Sequence, residues 1–328
     1  MKYCFILNPA AGKGRVVEEL EQNIQSTFQE KDLHFEIYHT TGVGDASEYV
    51  KRTVALDPLE QYRFYACGGD GTLCEVVNGV MSLEHRERVA VGLIPSGTGN
   101  DFVRNFTYGE NFHNIEAQIA ATEKPIDLLR CGDMYAINMI NIGFDCEVVC
   151  KTAQLKKKSW IPAKFAYIAG LLNTLIRKPC MKAWISENGQ APEQRHYLLS
   201  TYANGAFCGG GFYSNPKGSL NDRMIDTLFV KNISRTRFLA IVKHYKNGTH
   251  LTPKFEKIIR NEKLSRVDLT FDCDTSVSVD GEIISVRELH IETECQALSF
   301  LIPEGSKMIG DHNDSDNFAG VSAESAVE

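Results

Sequence analysis

The chain has 328 residues, 43% apolar and 23% charged, with a formal net charge of −7. That length can bury a full core and favours two domains, and the ordinary composition excludes a disordered or fibrous class. The acidic balance argues against a dedicated nucleic-acid binder, no run approaches the ~18 apolar residues of a spanning helix, and Met1–Pro9 is too short for a secretory core. Ten cysteines without a C-x-x-C pair fit a reducing compartment, so the expected location is cytoplasmic.

In chain order, Lys2–Leu7 reads as a strand and Val16–Lys31 as a helix with Val17, Leu20, Ile24 and Phe28 on one face. His34–His39 reads as a strand, Gly44–Val54 as a helix, Arg63–Ala66 as a strand, Leu73–Val80 as a helix and Val89–Ile94 as a strand. This alternation predicts an α/β domain over 1–128, its parallel sheet covered on both faces and its ligands held beyond the C-terminal strand ends. Beyond Leu128, strands dominate: Tyr135–Asn141, Met181–Ser186, His196–Ala203, Thr227–Lys231, Val267–Phe271, Ser276–Asp280, Leu289–Glu294 and Ala297–Ile302. Helical spacing is confined there chiefly to Ala163–Ile176 and Arg235–Tyr245. The expectation is a β-sandwich-like second domain over 129–303, its last strand returning to the first domain, and a polar, disordered tail over 304–328.

Three glycine-rich loops follow strands. Asn8-Pro9-Ala10-Ala11-Gly12-Lys13-Gly14 leads into a helix, whose free N–H groups and positive end suit phosphate. It is neither a Walker A loop nor G-x-G-x-x-G, and a tight strand-to-helix turn explains it about as well. Gly68-Gly69-Asp70-Gly71-Thr72 is stronger, because its glycines permit close approach of backbone to a ligand and Asp70 is placed to hold Mg²⁺ beside phosphate. Pro95-Ser96-Gly97-Thr98-Gly99-Asn100-Asp101-Phe102 repeats the layout with Thr98 and Asn100 as donors and Asp101 as a second acid. Asp127 alone reads as a solvated turn residue, and Asp280-Gly281-Glu282 alone as a hairpin turn.

In this order and spacing the loops resemble the diacylglycerol kinase catalytic-domain family, which includes sphingosine and ceramide kinases and soluble bacterial lipid kinases. The resemblance extends to Thr40 with Gly44-Asp45-Ala46, to Asp127 and to Asp280-Gly281-Glu282, and so covers the chain to about residue 303. It implies an ATP- and Mg²⁺-dependent kinase acting on a diacylglycerol-like lipid. Asn8, Pro9, Ala10, Ala11, Gly12, Thr40, Gly68, Gly69, Asp70, Gly71, Thr72 and Thr98 would hold ATP. Glu282, after Asp280, is the implied general base, and Asp70, Asp101 and Asp127 are the implied organisers of the catalytic Mg²⁺. A second, structural Mg²⁺ is implied on the Asp222 side chain and the backbone carbonyls of Ser219 and Met224, although Asn221-Asp222-Arg223 departs from the usual Asp-Asp-Gly.

From Lys151 to Lys182 there are eight basic residues and no acid, interleaved with Trp160, Phe165 and Tyr167. This inversion of sign suits an anionic membrane surface, each nearby cation contributing on the order of 1 kcal/mol. A solvated face, or a helix packed over the second domain, is the plainer reading. No motif for nucleic acid accompanies the patch. The acceptor stays open among diacylglycerol, sphingosine, ceramide, undecaprenol and phosphatidylglycerol. NAD kinase shares Gly-Gly-Asp-Gly-Thr, but its Gly-Ser-Thr-Ala-Tyr-type segment does not occur here. A non-catalytic nucleotide- or lipid-binding protein is disfavoured by the presence of all four candidate acids. A homodimer is the default for such enzymes.

Overall fold

The computed structural model describes residues 1–11, 15–144, 146–148, 151 and 181–311. Gly12, the expected helix over 163–176 and most of the basic 151–182 segment lie outside the described residues.

Strand β1 (Lys2–Leu7) is apolar at every position after Lys2 because both faces of its sheet are buried. Tyr3, Phe5 and Leu7 share one core with Ile24 and Phe28 of α1 (Arg15–Glu30). Cys4 and Ile6 share the other with Tyr49 and Val50 of α2 (Asp45–Leu56) and Val76 and Val77 of α3 (Asp70–Met81). Strands β2 (Phe35–His39), β3 (Tyr62–Gly68) and β4 (Val89–Pro95) complete a parallel sheet in the order β2-β1-β3-β4. After β4, two short 3₁₀ turns and the five-residue α4 (Ile115–Ile119) lead into strands.

The second half contains β5 (Thr122–Cys131), β6 (Met134–Ala136), β7 (Met139–Gly143), β8 (Met181–Glu187), β9 (Glu193–Ala203) and β10 (Ile225–Lys231). Helix α5 (Arg235–Lys246) precedes β11 (Ile259–Leu264), β12 (Arg266–Val279) and β13 (Glu282–Ile302). β9 pairs with β7, β7 with β12, β12 with β8, and β8 again with β9, so these strands close a ring. Leu129, Ile140, Ile185, Tyr202, Phe229, Leu269 and Ile291 fill the core beneath them. β13 ties the halves together, pairing antiparallel with β12 and β5 and then parallel with β4 at Ser299↔Ala90 and Phe300↔Val91. No helix among the described residues is long and apolar enough to cross a membrane.

The expected α/β sheet and β-rich second half are present, with three local differences in the strands. Val267–Phe271 and Ser276–Asp280 are one strand, β12, whose register shifts between Thr270 and Thr275. The polar bulge lets its first part pair with β8 and its last part with β7, which a turn-like sequence disguises. Leu289–Glu294 and Ala297–Ile302 likewise join across a bulge at Gln296, where φ is 51°. Tyr135–Asn141 instead splits, because the N–H groups of Ile137 and Asn138 leave the ladder for the Asp280 carboxylate. Leu128, the expected boundary, lies within β5.

The tail differs too. Residues 304–311 are not loose: Met308 is buried and bridges Phe106, and the Ile309 N–H donates to the Asn105 carbonyl at 2.9 Å. Met308 adds apolar burial to a segment whose composition reads as polar. Residues 312–328 lie outside the described residues.

One buried group gives the fold a pH dependence. His250 is fully buried beside Tyr245, and burial lowers its pKa from 6.5 to about 4. The unfolded chain takes up that proton as pH falls through 6.5 while the folded chain does not, so stability declines between pH 6.5 and 4. The loss amounts to about 3 kcal/mol. Thermal unfolding across this range is expected to show a steeper acid decline for the wild type than for His250→Gln. Parallel curves would contradict the assignment.

Candidate functional site

Because β1, β3 and β4 are neighbours, their C-terminal ends bring the three glycine loops to one edge of the sheet. Asn8 Nδ2 donates to Thr72 Oγ1 at 3.0 Å, while Asn8 Oδ1 accepts the Ala10 N–H at 3.0 Å. The Ser96 N–H donates to the Gly68 carbonyl at 2.8 Å. The Thr40 N–H reaches the Leu7 carbonyl at 2.9 Å, which places Thr40 beside the first loop. Pro9, Ala10, Gly71 and Thr98 are exposed around this junction.

The glycines serve contact between loops rather than unusual backbone angles. A Cβ on Gly97 would stand 2.5 Å from Gly69 Cα, and one on Gly68 would stand 2.3 Å from Thr72 Oγ1. Helix α3 begins at Asp70, three residues before the expected Leu73, so Gly71 and Thr72 belong to its first turn. N–H groups of a first turn lack intrahelical acceptors and carry the positive end of the helix dipole.

The acids divide by environment. Asp70 is half-buried; its Oδ2 accepts the Asp101 N–H and its Oδ1 the Phe102 N–H, each at 3.1 Å. Asp101 is buried, and its carboxylate accepts the N–H groups of Gly210 and Gly211 at 2.8 and 2.7 Å. Burial pushes its pKa up, those two donors oppose the shift, and the Asp70 charge adds to it. Asp70 and Asp101 thereby link α3, the loop after β4 and the second half of the chain.

Asp127 does not join them. It is fully buried, with the Arg223 N–H on Oδ2 at 2.6 Å and the Gln296 N–H on Oδ1 at 2.7 Å. Burial raises its pKa against these donors. It anchors the loop around Arg223 to the β13 bulge, a structural duty that its sequence context hides. Among the described residues no three His, Cys, Asp or Glu side chains gather into a group that could hold a metal ion.

Asp280 and Gly281 form the two-residue turn between β12 and β13, with φ of 46° and 95°. These positive φ angles suit an Asp-Gly hairpin. Asp280 Oδ2 accepts the Ile137 N–H at 2.6 Å, and Oδ1 accepts those of Asn138 and Met139 at 3.1 and 2.8 Å. Burial pushes its carboxyl up to about 7 against these three donors, with the Asp70 charge adding to the rise. Asp280 thus aims the hairpin. Glu282, the first residue of β13, is exposed, and its side chain has no hydrogen-bond or ion-pair partner among the described residues. The charges of both Asp280 and Glu282 act on Cys74, one turn along α3 from Asp70, so the hairpin faces the helix that carries Asp70.

The implied structural-metal residues also differ from expectation. Asp222 Oδ1 accepts the Met224 N–H at 3.1 Å, and its Oδ2 is met by the Lys263 ammonium. Ser219 Oγ lies 3.1 Å from both Asn221 Oδ1 and the Gly310 carbonyl. Asp222, Ser219 and Met224 share one loop, but an ammonium group already faces the carboxylate. These residues do not fit a divalent ion.

Sequence reasoning missed Gly210 and Gly211, although Cys208-Gly209-Gly210-Gly211 was legible as three successive glycines. All three have positive φ, which turns their N–H groups towards an anion such as the Asp101 carboxylate. It also missed Lys263, for which no local signal existed.

Two family models cover most of the chain: residues 2–131 match the diacylglycerol kinase catalytic domain, and residues 138–302 match the YegS C-terminal NAD kinase beta sandwich-like domain. A Yersinia pestis (strain Pestoides F) protein named "Probable lipid kinase YegS-like" is 26% identical over 312 residues, which is 93% of this chain and 98% of that protein. A Yersinia pseudotuberculosis (serotype O:1b, strain IP 31758) protein of the same name gives the same figures. A crystal structure from Bacillus anthracis str. Sterne aligns with a TM-score of 0.70 and 24% identity, covering 92% of this chain and 95% of that one. Another from that organism, titled a diacylglycerol kinase, aligns with a TM-score of 0.65 and 20% identity over 92% and 97% of the two chains.

Proposed function

The chain belongs to the YegS-like lipid kinases of the diacylglycerol kinase family, and from this premise we propose that it transfers the γ-phosphate of ATP to the hydroxyl of diacylglycerol, giving phosphatidic acid. The observation that carries the reading is a free, exposed carboxylate, Glu282, on the Asp280 hairpin that faces the helix whose first turn carries Asp70, Gly71 and Thr72.

In this reading Asn8–Gly12, Thr40, Gly68–Thr72 and Thr98 hold the ATP phosphates through backbone donors and the α3 dipole. Each Asp70 oxygen accepts one N–H and keeps a further lone pair, so Asp70 fits a cation carried on ATP. Mg²⁺ bound there would neutralise charge on the transferring phosphoryl group. Glu282 takes the proton of the lipid hydroxyl, the oxygen forms its bond to the γ-phosphorus, the bond to the bridging oxygen breaks, and ADP leaves. Asp101, Asp127 and Asp280 position backbone rather than reacting atoms. The basic composition of the Lys151–Lys182 segment supports access to diacylglycerol from an anionic membrane surface.

The acceptor is tested with γ-labelled ATP and Mg²⁺ on mixed micelles of diacylglycerol, sphingosine, ceramide, phosphatidylglycerol or undecaprenol. Phosphatidic acid formed with the highest kcat/KM of the set is the expected result. Higher kcat/KM on another lipid would overturn diacylglycerol as the substrate and leave the transfer chemistry in place.

A further inference from the structure

Lys263 and Asp226 face each other in register on β11 and β10, so the sheet itself brings the ammonium group to this place. Lys263 Nζ meets Asp222 Oδ2, lies 3.5 Å from Asp226 Oδ2 and 3.4 Å from the Lys217 carbonyl. Asp226 is only 2% exposed, and Lys263 is the cation that meets it among the described residues. Two carboxylates so withdrawn from water require a counter-charge, and removing it from such a site is strongly destabilising. Around them, Arg223 holds a positive φ of 64°, which strains a side-chain-bearing residue but aims its N–H at Asp127. Asn221 and Ser219 extend the network to Asp311 and Gly310.

We propose that the Lys263 ammonium is the resident cation of the 217–226 loop, holding Asp222 and Asp226 together in place of a metal ion. A divalent ion placed between the same carboxylates would be repelled by Nζ. The loop, and through it the Asp127 anchor and the 304–311 segment, is therefore fixed without metal. The covalently tethered cation cannot be removed by a chelator.

Thermal unfolding of the full chain without nucleotide tests this, with EDTA or with added Mg²⁺. The wild type is expected to melt at the same temperature in both. Lys263→Ala is expected to melt lower by on the order of 5 °C in EDTA and to recover part of the loss in Mg²⁺. The recovery should vanish in Lys263→Ala/Asp222→Asn. A wild-type melting temperature that rises with Mg²⁺ and ceases to do so in Asp222→Asn would overturn the proposal. So would Lys263→Ala melting as the wild type does, or failing to respond to Mg²⁺. The wild-type titration decides even where the variant does not fold.

Discussion

Glu282→Gln is expected to lower lipid phosphorylation by about 10²–10⁴-fold, the range lost with a general base, while ATP affinity and melting temperature stay unchanged. The amide keeps the shape of the side chain and removes only its capacity to take a proton. Because the Glu282 side chain is exposed and makes no hydrogen bond or ion pair among the described residues, the fold loses nothing with its carboxylate. Its neighbour behaves oppositely. Asp280→Asn would turn an amide NH₂ towards the N–H groups of Ile137, Asn138 and Met139, so its main effect falls on stability. Turnover in mixed micelles, an ATP dissociation constant and a melting curve separate the two variants. Unchanged turnover in Glu282→Gln would remove it as the base, and a fall in melting temperature would make its role structural.

Gly97→Ala is expected to lower kcat/KM for ATP by about 100-fold or more, the cost of displacing a binding element by roughly 1 Å. The new methyl group would lie 2.5 Å from Gly69 Cα and 2.9 Å from Asn100 Oδ1. Backbone on one side leaves no flexible group to yield. Relief requires the second and third loops to part, against the Ser96–Gly68 bond and the two N–H groups that Asp70 accepts. Glu282→Gln should keep ATP binding and lose transfer, whereas Gly97→Ala should lose ATP binding itself. Normal ATP affinity in Gly97→Ala would separate this loop contact from nucleotide binding.

Local patterns were legible wherever one element decides its own state. The apolar run of β1 and the spacing of Val17, Ile24 and Phe28 on α1 identify buried elements from sequence alone. The three glycine loops were legible as turns after strands for the same reason, and the β1-β3-β4 order brings them to one edge. What escaped depends on distant partners. The bulges in β12 and β13 exist because one strand serves several neighbours, and polar residues at a bulge resemble a turn. Asp127 alone reads as a solvated turn residue, yet Arg223 and Gln296, far along the chain, meet its oxygens in the interior. Met308 draws the start of a polar tail onto Phe106. Lys263 meets Asp222 only because β10 and β11 pair in one register.

The most direct measurement is the destination of the γ-phosphate when the wild-type protein meets labelled ATP, Mg²⁺, diacylglycerol micelles and NAD together. Label is expected in the extracted lipid and none in the nucleotide acceptor. Label on NAD, or ATP bound without transfer to any acceptor, would contradict it.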